Sequence, residues 1–254
     1  MPLRCRLGAR KVVPVTSRQC AGNATVGGET FRRVAEEASG QPYTAVDKVW
    51  LLPRVLRTDE RLQERLFERL AGNAMASGPS GYKRGKPYTW LVNHLVDGLG
   101  QVSPRSCSEA VRHAAKNTPS ETQTALHFRA IQSGVQAASR IRVSEVTTED
   151  YPWIEIVMQP LRGKLTVPCA PEEFERLWLK DQTIEQLEAR LGYSSLGVKL
   201  PPQSQSLGLG SAGLLVDLES LGLIERLRDQ RIQMPDVYRI GFGFGRRGGV
   251  KPLK

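Results

Sequence analysis

Leucines at helical spacing mark the last quarter of the chain. Between residues 211 and 221, apolar positions recur at i, i+1, i+4 and i+7, which places them on one helix face: Leu214, Leu215, Leu218 and Leu221. Gly222 stands where a residue that ends a helix takes positive φ, and Leu223 follows as its hydrophobic contact. The pattern predicts a helix over residues 211–221 that ends at Gly222.

Two partly alternating segments follow this helix. Residues 223–228 and 231–234 are predicted as strands, and Asp229-Gln230 between them predicts a two-residue hairpin loop. A helix that leads directly into a hairpin is the C-terminal half of a winged helix. The sequence therefore predicts a C-terminal winged helix with a β-hairpin wing.

Helical periodicity dominates the rest of the chain, so the predicted fold class is mainly α. A clear amphipathic helix covers residues 59–70, with Thr58 as its N-cap and Gly72 at its end. Ser103 followed by Pro104 predicts the start of a helix over residues 103–116. Other helices are predicted over residues 30–39, 89–97, 122–139 (reaching as far as 146), 153–159, 171–180 and 183–191.

Three segments organise the chain. Residues 1–28 have no sustained periodicity and are predicted to be a basic, poorly ordered arm. Residues 29–165 form a predicted helical domain, and residues 166–254 form the winged-helix domain with a basic glycine-rich tail. A loop rich in glycine, proline and serine is predicted over residues 192–210.

Composition is that of a globular protein in a reducing cytoplasm. The 254 residues are 40% hydrophobic, and no apolar run has the length of a membrane span, so we expect no membrane partner. No apolar signal core follows the basic N-terminus. The four cysteines lie too far apart for a zinc site or a disulfide framework: Cys5, Cys20, Cys107 and Cys169.

The net charge of +10 is concentrated at the two ends. Residues 1–28 carry five basic groups and no acid, and residues 223–254 carry eight basic groups and three acids. Such ends bind nucleic acid by releasing counterions from its phosphates, or they are simply solvated. Charge alone leaves both interpretations open.

Catalytic motifs are missing, and we predict neither enzyme activity, catalytic residues nor a metal site. Residues 81–87 resemble a phosphate-binding loop, but Ser80 replaces its first glycine and Pro87 replaces the Ser or Thr that holds magnesium. The glycine-rich segment 241–249 contains G-x-G without a βαβ unit. Its Phe242 and Phe244 are suited to stacking on unpaired bases, although packing back on the hairpin is favoured.

Arg105 lies at a position that is unusual for a basic residue. It lies in the first turn of a predicted helix, in Ser103-Pro104-Arg105-Ser106, where the helix dipole disfavours a cation. This segment, together with residues 88–91 and 234–239, resembles the later part of bacterial AAA+ and STAND-type P-loop ATPases. The resemblance implies a helical lid-like bundle followed by a winged helix, with Arg105 as a sensor of nucleotide phosphate.

The ATP-binding core of that family is missing from this sequence. No cofactor is therefore expected, unless ATP is held by another chain or by an N-terminal part that a truncated reading frame has lost. The alternative role for Arg105 is an ion pair with a nearby acid such as Asp97. The resemblance implies a non-catalytic portion of an AAA+/STAND-like ATPase that serves as a regulatory or DNA-associated binding module.

The alternative function is a stand-alone winged-helix protein that binds DNA through its basic wing and its basic N-terminal arm. The helix over residues 211–221 carries Asp217 and Glu219 and no basic side chain, which is unsuited to the major groove and suited to a protein partner. DNA contact would come from the wing and tail, with little sequence readout. The candidate nucleic-acid-binding residues are Arg226, Arg228, Arg231, Arg246 and Arg247.

Overall fold

The computed structural model describes residues 54–193, Pro202 and residues 208–246, together with residues 33, 36–37, 40–41, 45–46 and 49–50. The predicted arm over residues 1–28, most of the predicted loop over 192–210, and Arg247 lie outside the described residues. The described part is mainly helical, as the sequence predicts.

Helices follow one another along the chain, with pairs of two-residue strands between some of them. The elements are β1 (Ala45–Val46), β2 (Val49–Trp50), α1 (Arg54–Thr58), α2 (Glu60–Ala71), α3 (Pro87–Leu95), α4 (Pro104–Asn117), α5 (Phe128–Ser144), α6 (Trp153–Met158), β3 (Thr166–Val167), α7 (Pro171–Asp181), α8 (Thr183–Tyr193), α9 (Gly210–Ser220), β4 (Glu225–Arg226), β5 (Ile232–Gln233), α10 (Asp236–Phe242) and β6 (Gly245–Arg246). A π-helical segment, Glu145–Asp150, extends α5. Strand pairing is antiparallel for β1–β2 and β4–β5, and parallel for β3–β6.

The chain divides into two compact units. The first comprises residues 1–92 and 111–131, and the second comprises residues 93–110 and 132–254. The predicted domain boundary between residues 165 and 166 falls inside the second unit, because elements on both sides of it share one core. The indole N–H of Trp178 in α7, for example, donates to the Val157 carbonyl of α6 at 2.8 Å.

Two helix starts in the first unit differ from the prediction. Asp59, not Thr58, is the N-cap of α2, because its carboxylate accepts the backbone N–H groups of Arg61 and Leu62 while Thr58 is the last residue of α1. Gly72 ends α2 at φ 76°, as predicted. The predicted helix from residue 122 begins only at Phe128.

The late start of α5 has a local cause. The Thr122 hydroxyl donates to the carbonyls of Pro119 and Thr124, and the Thr118 hydroxyl accepts the N–H of His127. Threonine hydroxyls that bond to nearby backbone compete with the helical hydrogen-bond ladder. Residues 122–127 therefore form turns in which backbone and side-chain groups satisfy one another.

Close backbone approaches hold the second unit together. A Cβ added to Gly134 in α5 would lie 2.2 Å from the Ala110 carbonyl oxygen of α4, and one added to Gly241 in α10 would lie 2.7 Å from the Ser139 carbonyl oxygen of α5. The Ser139 hydroxyl also donates to the Val237 carbonyl. The large buried side chains include Trp153, Met158, Phe174, Trp178, Tyr238, Phe242 and Phe244.

The end of α9 follows the predicted pattern closely. Gly222 has φ 71°, its N–H donates to the Glu219 carbonyl, and the N–H of Leu223 donates to the Leu218 carbonyl. This pair of hydrogen bonds is the Schellman motif. The N–H of Gly98 donates to the Gly222 carbonyl at 2.8 Å, so the helix end is held against the chain that leaves α3. Of the four predicted leucines, Leu214, Leu215 and Leu218 are buried.

The hairpin after α9 pairs Glu225 with Gln233 and Arg226 with Ile232. Its loop has three residues rather than the predicted two, because the N–H of Leu227 donates to the Arg231 carbonyl while the N–H of Gln230 donates to the Leu227 carbonyl. Gln230 takes φ 66°. A tight turn followed by a left-handed residue is the usual three-residue alternative to a two-residue loop.

Candidate phosphate sensor and wing

Arg105 lies in the first turn of α4, and its partner is Glu145 rather than the expected Asp97. Its Nη1 is 2.9 Å from Glu145 Oε1, and 62% of the Arg105 side chain is exposed against 11% for Glu145. Asp97 is engaged elsewhere, because its Oδ1 accepts the backbone N–H groups of Leu99 and Gln101. The ion pair expected as the alternative role of Arg105 therefore exists, with Glu145 as the acid, and most of the Arg105 side chain still faces solvent.

Glu145 also holds a second arginine. Arg142 Nη1 lies 3.4 Å from Glu145 Oε2 and 3.8 Å from Asp150 Oδ2. The Arg142 guanidinium lies over the Tyr238 ring, 5.9 Å from its centroid. Burial opposes the charge of Arg142, but Tyr238 and Glu145 outweigh that effect and raise its pKa. Burial also raises the pKa of Tyr238, against the influence of Arg142.

The acidic face predicted for α9 is only partly present. Asp217 is buried, with 4% of the residue exposed, so it offers no charge to a partner. Glu219 remains on the surface, where Oε2 lies 3.6 Å from Arg226 Nε of the hairpin. The prediction of two outward acids is wrong for Asp217, because its helix position points into the core beside Leu214 and Leu218.

The arginines of the hairpin are mostly engaged by acids. Arg231 donates from Nε to Asp229 Oδ2 at 2.8 Å, and this hydrogen bond lowers the pKa of Asp229. Arg226 faces Glu219, as described above. Arg228 is exposed in the loop and forms no ion pair with a described residue. Of the three predicted wing cations, Arg228 is therefore the most available to a phosphate.

Arg246 belongs to a network of charged side chains around buried Asp236, which differs from its predicted role as a free cation of the tail. Asp236 at the start of α10 accepts from Arg239 Nε at 2.6 Å and from Arg246 Nη1 at 3.0 Å, and its other oxygen lies 3.4 Å from His94 Nε2. Arg239 is fully buried and also donates to the Phe244 carbonyl at 3.1 Å. The i, i+3 spacing of Asp236 and Arg239 on one helix was the available signal.

The two phenylalanines of the tail are core residues, so stacking on bases is excluded for them in this fold. Phe244 packs against Phe174 of α7, with 6.3 Å between ring centroids. The Arg162 guanidinium covers the ring of Phe242, at 5.1 Å from its centroid. Both rings pack into the fold rather than extending into solvent, and the contacts described are with Phe174 of α7 and with Arg162, whereas the sequence favoured packing on the hairpin.

Metal binding, membrane insertion and thiol chemistry have little support among the described residues. No three His, Cys, Asp or Glu side chains of the described residues come together in a group that could hold a metal ion. Among these same residues, no helix combines the length and apolarity that crossing a membrane requires. Burial raises the pKa of the thiols of Cys107 and Cys169, in the latter case to about 11, which disfavours the nucleophilic thiolate.

No family model, curated protein or solved structure matches this chain. A functional proposal therefore rests on two features of the structure. One is Arg105 with its acidic partner Glu145, and the other is the hairpin with its exposed Arg228.

Proposed function

We propose that this chain is a cytoplasmic, non-catalytic regulatory module with the lid and winged-helix organisation of AAA+/STAND-type ATPases. In this role, Arg105 senses the phosphates of a nucleotide that another chain or a further segment holds. The observation that carries the proposal is the largely exposed side chain of Arg105 at the start of α4, a position that disfavours a cation.

The ion pair of Arg105 is of the kind that phosphate can displace. Exposed ion pairs contribute only about 0–1 kcal/mol, because solvent screens the charges and the long side chains lose entropy, and the Arg105 side of this pair is exposed in that way. A phosphate carries more charge than a carboxylate and accepts two parallel hydrogen bonds from a guanidinium. Arg105 can therefore exchange Glu145 for a phosphate without unfolding any element.

The C-terminal elements support the winged-helix half of the proposal. Helix α9 ends in the Schellman motif at Gly222, and the β4–β5 hairpin follows after two residues, Leu223 and Ile224. Both residues are buried, which fixes the hairpin close to the end of α9. The surface of α9 is then available to a protein partner, with Val216 exposed and Glu219 beside the hairpin.

Calorimetric titration of the full chain with ATP and with inorganic triphosphate at low salt tests this function. We expect weak binding that Arg105→Ala reduces by tenfold or more, because the main phosphate ligand is gone. Arg140→Ala is the matched control, since Arg140 is an exposed arginine of α5 in the same unit, and it should change affinity by less than twofold. Equal affinity of Arg105→Ala and the wild type would contradict the sensor role.

A second candidate is binding to DNA through the hairpin, and exposed Arg228 favours it. Fluorescence anisotropy with labelled duplex and single-stranded DNA across a salt series measures this directly. If the hairpin binds, Arg228→Glu weakens binding more than Arg226→Glu or Arg231→Glu, whose native arginines already face acids. Lys180→Glu, an exposed charge reversal on α7, is the control. Binding that is equally weakened by all four variants would reflect net charge only.

A further inference from the structure

We propose that Glu145 competes with phosphate for the Arg105 guanidinium. The sensor is closed when Arg105 is paired with Glu145, and it is open when Arg105 binds phosphate. The inference rests on the proposed function and names how that site is regulated. Glu145 takes the guanidinium until an anion of higher charge replaces it.

The two sides of the ion pair differ in freedom to move. Glu145 is the first residue of the π-helical segment, is nearly buried, and has its Oε2 beside Arg142. The Arg105 side chain is mostly exposed on the first turn of α4. The carboxylate therefore stays in place while the guanidinium swings away, so Arg105 is the moving part.

The contact between Arg105 and Glu145 is close but poorly directed. Glu145 Oε1 accepts no hydrogen bond from a described residue, although Arg105 Nη1 lies only 2.9 Å away. Charge-assisted hydrogen bonds are about twice as strong as neutral ones, and a misaligned contact forfeits that gain. The ion pair between Arg105 and Glu145 is consequently weak. Its competition with an anion should therefore change the anion affinity by only a few-fold.

Release of Arg105 does not leave a bare carboxylate in the fold. Arg142 remains beside Glu145 Oε2, and Tyr238 and Asp150 keep the Arg142 guanidinium in position. Removing one partner of a buried ion pair is expensive when the other charge is left uncompensated. Because Arg142 compensates Glu145 in both states, opening the sensor avoids that penalty.

The competitor also selects the class of ligand. An anion must displace a carboxylate that is already in place, so inorganic phosphate, which carries only slightly more charge than that carboxylate, binds weakly at Arg105. Triphosphate presents several charges and planar pairs of oxygens to the guanidinium. We therefore expect discrimination between triphosphate and single inorganic phosphate that depends on Glu145.

The test is titration of the full chain with inorganic triphosphate and with inorganic phosphate. Glu145→Gln should raise triphosphate affinity between about threefold and tenfold, because the competing charge is removed. Glu155→Gln is the matched control: Glu155 pairs with Arg162 at 2.7 Å in the same unit, so this variant also removes one acid and frees one arginine. It should change triphosphate affinity by less than twofold.

Glu145→Asp keeps the net charge but withdraws the carboxylate by one methylene, and should raise affinity in the same direction even if Glu145→Gln folds poorly. A gain that persists in the double variant with Arg105→Ala would overturn the competitor role. So would equal gains from Glu145→Gln and Glu155→Gln, which reflect net charge. If Arg105→Ala loses binding while both Glu145 variants bind triphosphate like the wild type, Arg105 still binds phosphate but Glu145 does not compete for it.

Discussion

Asp59 and Thr58 are adjacent residues that could each begin a helix, and only one of them does. The Asp59 carboxylate accepts N–H groups at 2.9 and 3.2 Å, whereas the exposed Thr58 hydroxyl points back toward the Val55 carbonyl. Because α1 continues through Thr58, that residue has helical backbone and cannot serve as the cap of α2. The cap is a property of backbone conformation as much as of residue type.

Asp59→Ala should therefore lower the free energy of unfolding by about 1 kcal/mol, the typical loss for an N-cap. Thr58→Ala should lower it by less than half of that amount. Urea unfolding followed by circular dichroism measures both variants against the wild type. A larger loss for Thr58→Ala than for Asp59→Ala would contradict the observed capping.

The thiol of Cys169 should make the free energy of unfolding depend on pH in the alkaline range. Burial, and then the charge of Glu173, raises the pKa of its thiol from 9.0 to about 11 in the folded state. A raised folded-state pKa means that the folded chain keeps the proton while the unfolded chain loses it, so stability falls as pH rises between those values. The stabilising contribution is fully present below pH about 9.

By pH 10, the wild type should have lost about 1 kcal/mol more stability than Cys169→Ala, which has no thiol to titrate. Melting temperatures of the two proteins at pH 7.5, 9 and 10 give this difference. If the gap between the two proteins stays constant across that range, the thiol of Cys169 is not the titrating group.

At the scale of elements, the sequence predicts helices well where their ends carry local signals. Pro171 and Thr183 open α7 and α8 as predicted, and Gly222 closes the segment after α9. The prediction fails at residues 122–127, where threonine hydroxyls satisfy the backbone, because helix propensity does not encode that competition. The fate of Asp217 was also missed, since burial of one acid depends on packing across the unit.

The hairpin loop offers a direct stability test at this scale. Gln230 is exposed and takes φ 66°, a conformation that costs a residue with a side chain about 1 kcal/mol relative to glycine. Gln230→Gly should consequently raise the melting temperature by a few degrees, because relief of that strain exceeds the added chain entropy.

Gln182 is a second left-handed residue, at φ 54° after α7, and Gln182→Gly should act in the same direction. Gln186→Gly provides the contrasting case, because Gln186 lies within α8 and glycine there weakens a helix by up to about 1 kcal/mol. A lower melting temperature for Gln230→Gly would show that the loop is not strained in solution.

At the scale of the whole molecule, the network around Asp236 joins elements that lie far apart in the sequence. One carboxylate serves Arg239, Arg246 and His94, which lie on α10, β6 and α3. Arg239 has no exposed surface, so its charge depends on this acid for compensation. No short-range pattern indicates that residues 94, 236 and 246 meet, so the sequence alone predicts Arg246 to be a surface cation.

Asp236→Asn should lower the free energy of unfolding by about 3–5 kcal/mol, because it removes the carboxylate that lies against the buried guanidinium of Arg239. Asp229→Asn is the control: it also removes an arginine partner, but both groups are exposed, so its loss should be small compared with that of Asp236→Asn. Chemical denaturation of both variants separates the two cases. Similar losses would mean that the network contributes no more than a surface pair.

The parallel pairing of β3 with β6 carries a consequence for biosynthesis. Thr166 and Val167 have no ladder partner until Gly245 and Arg246 emerge from the ribosome, and Phe244 reaches the core only at the same moment. Until then, Asp236 lacks one of its two arginines, and the ring of Phe174 contacts Trp178 but not yet Phe244. The second unit therefore completes its fold only after the last described strand has been translated, and a nascent chain that stalls before residue 244 presents an open core to chaperones and proteases.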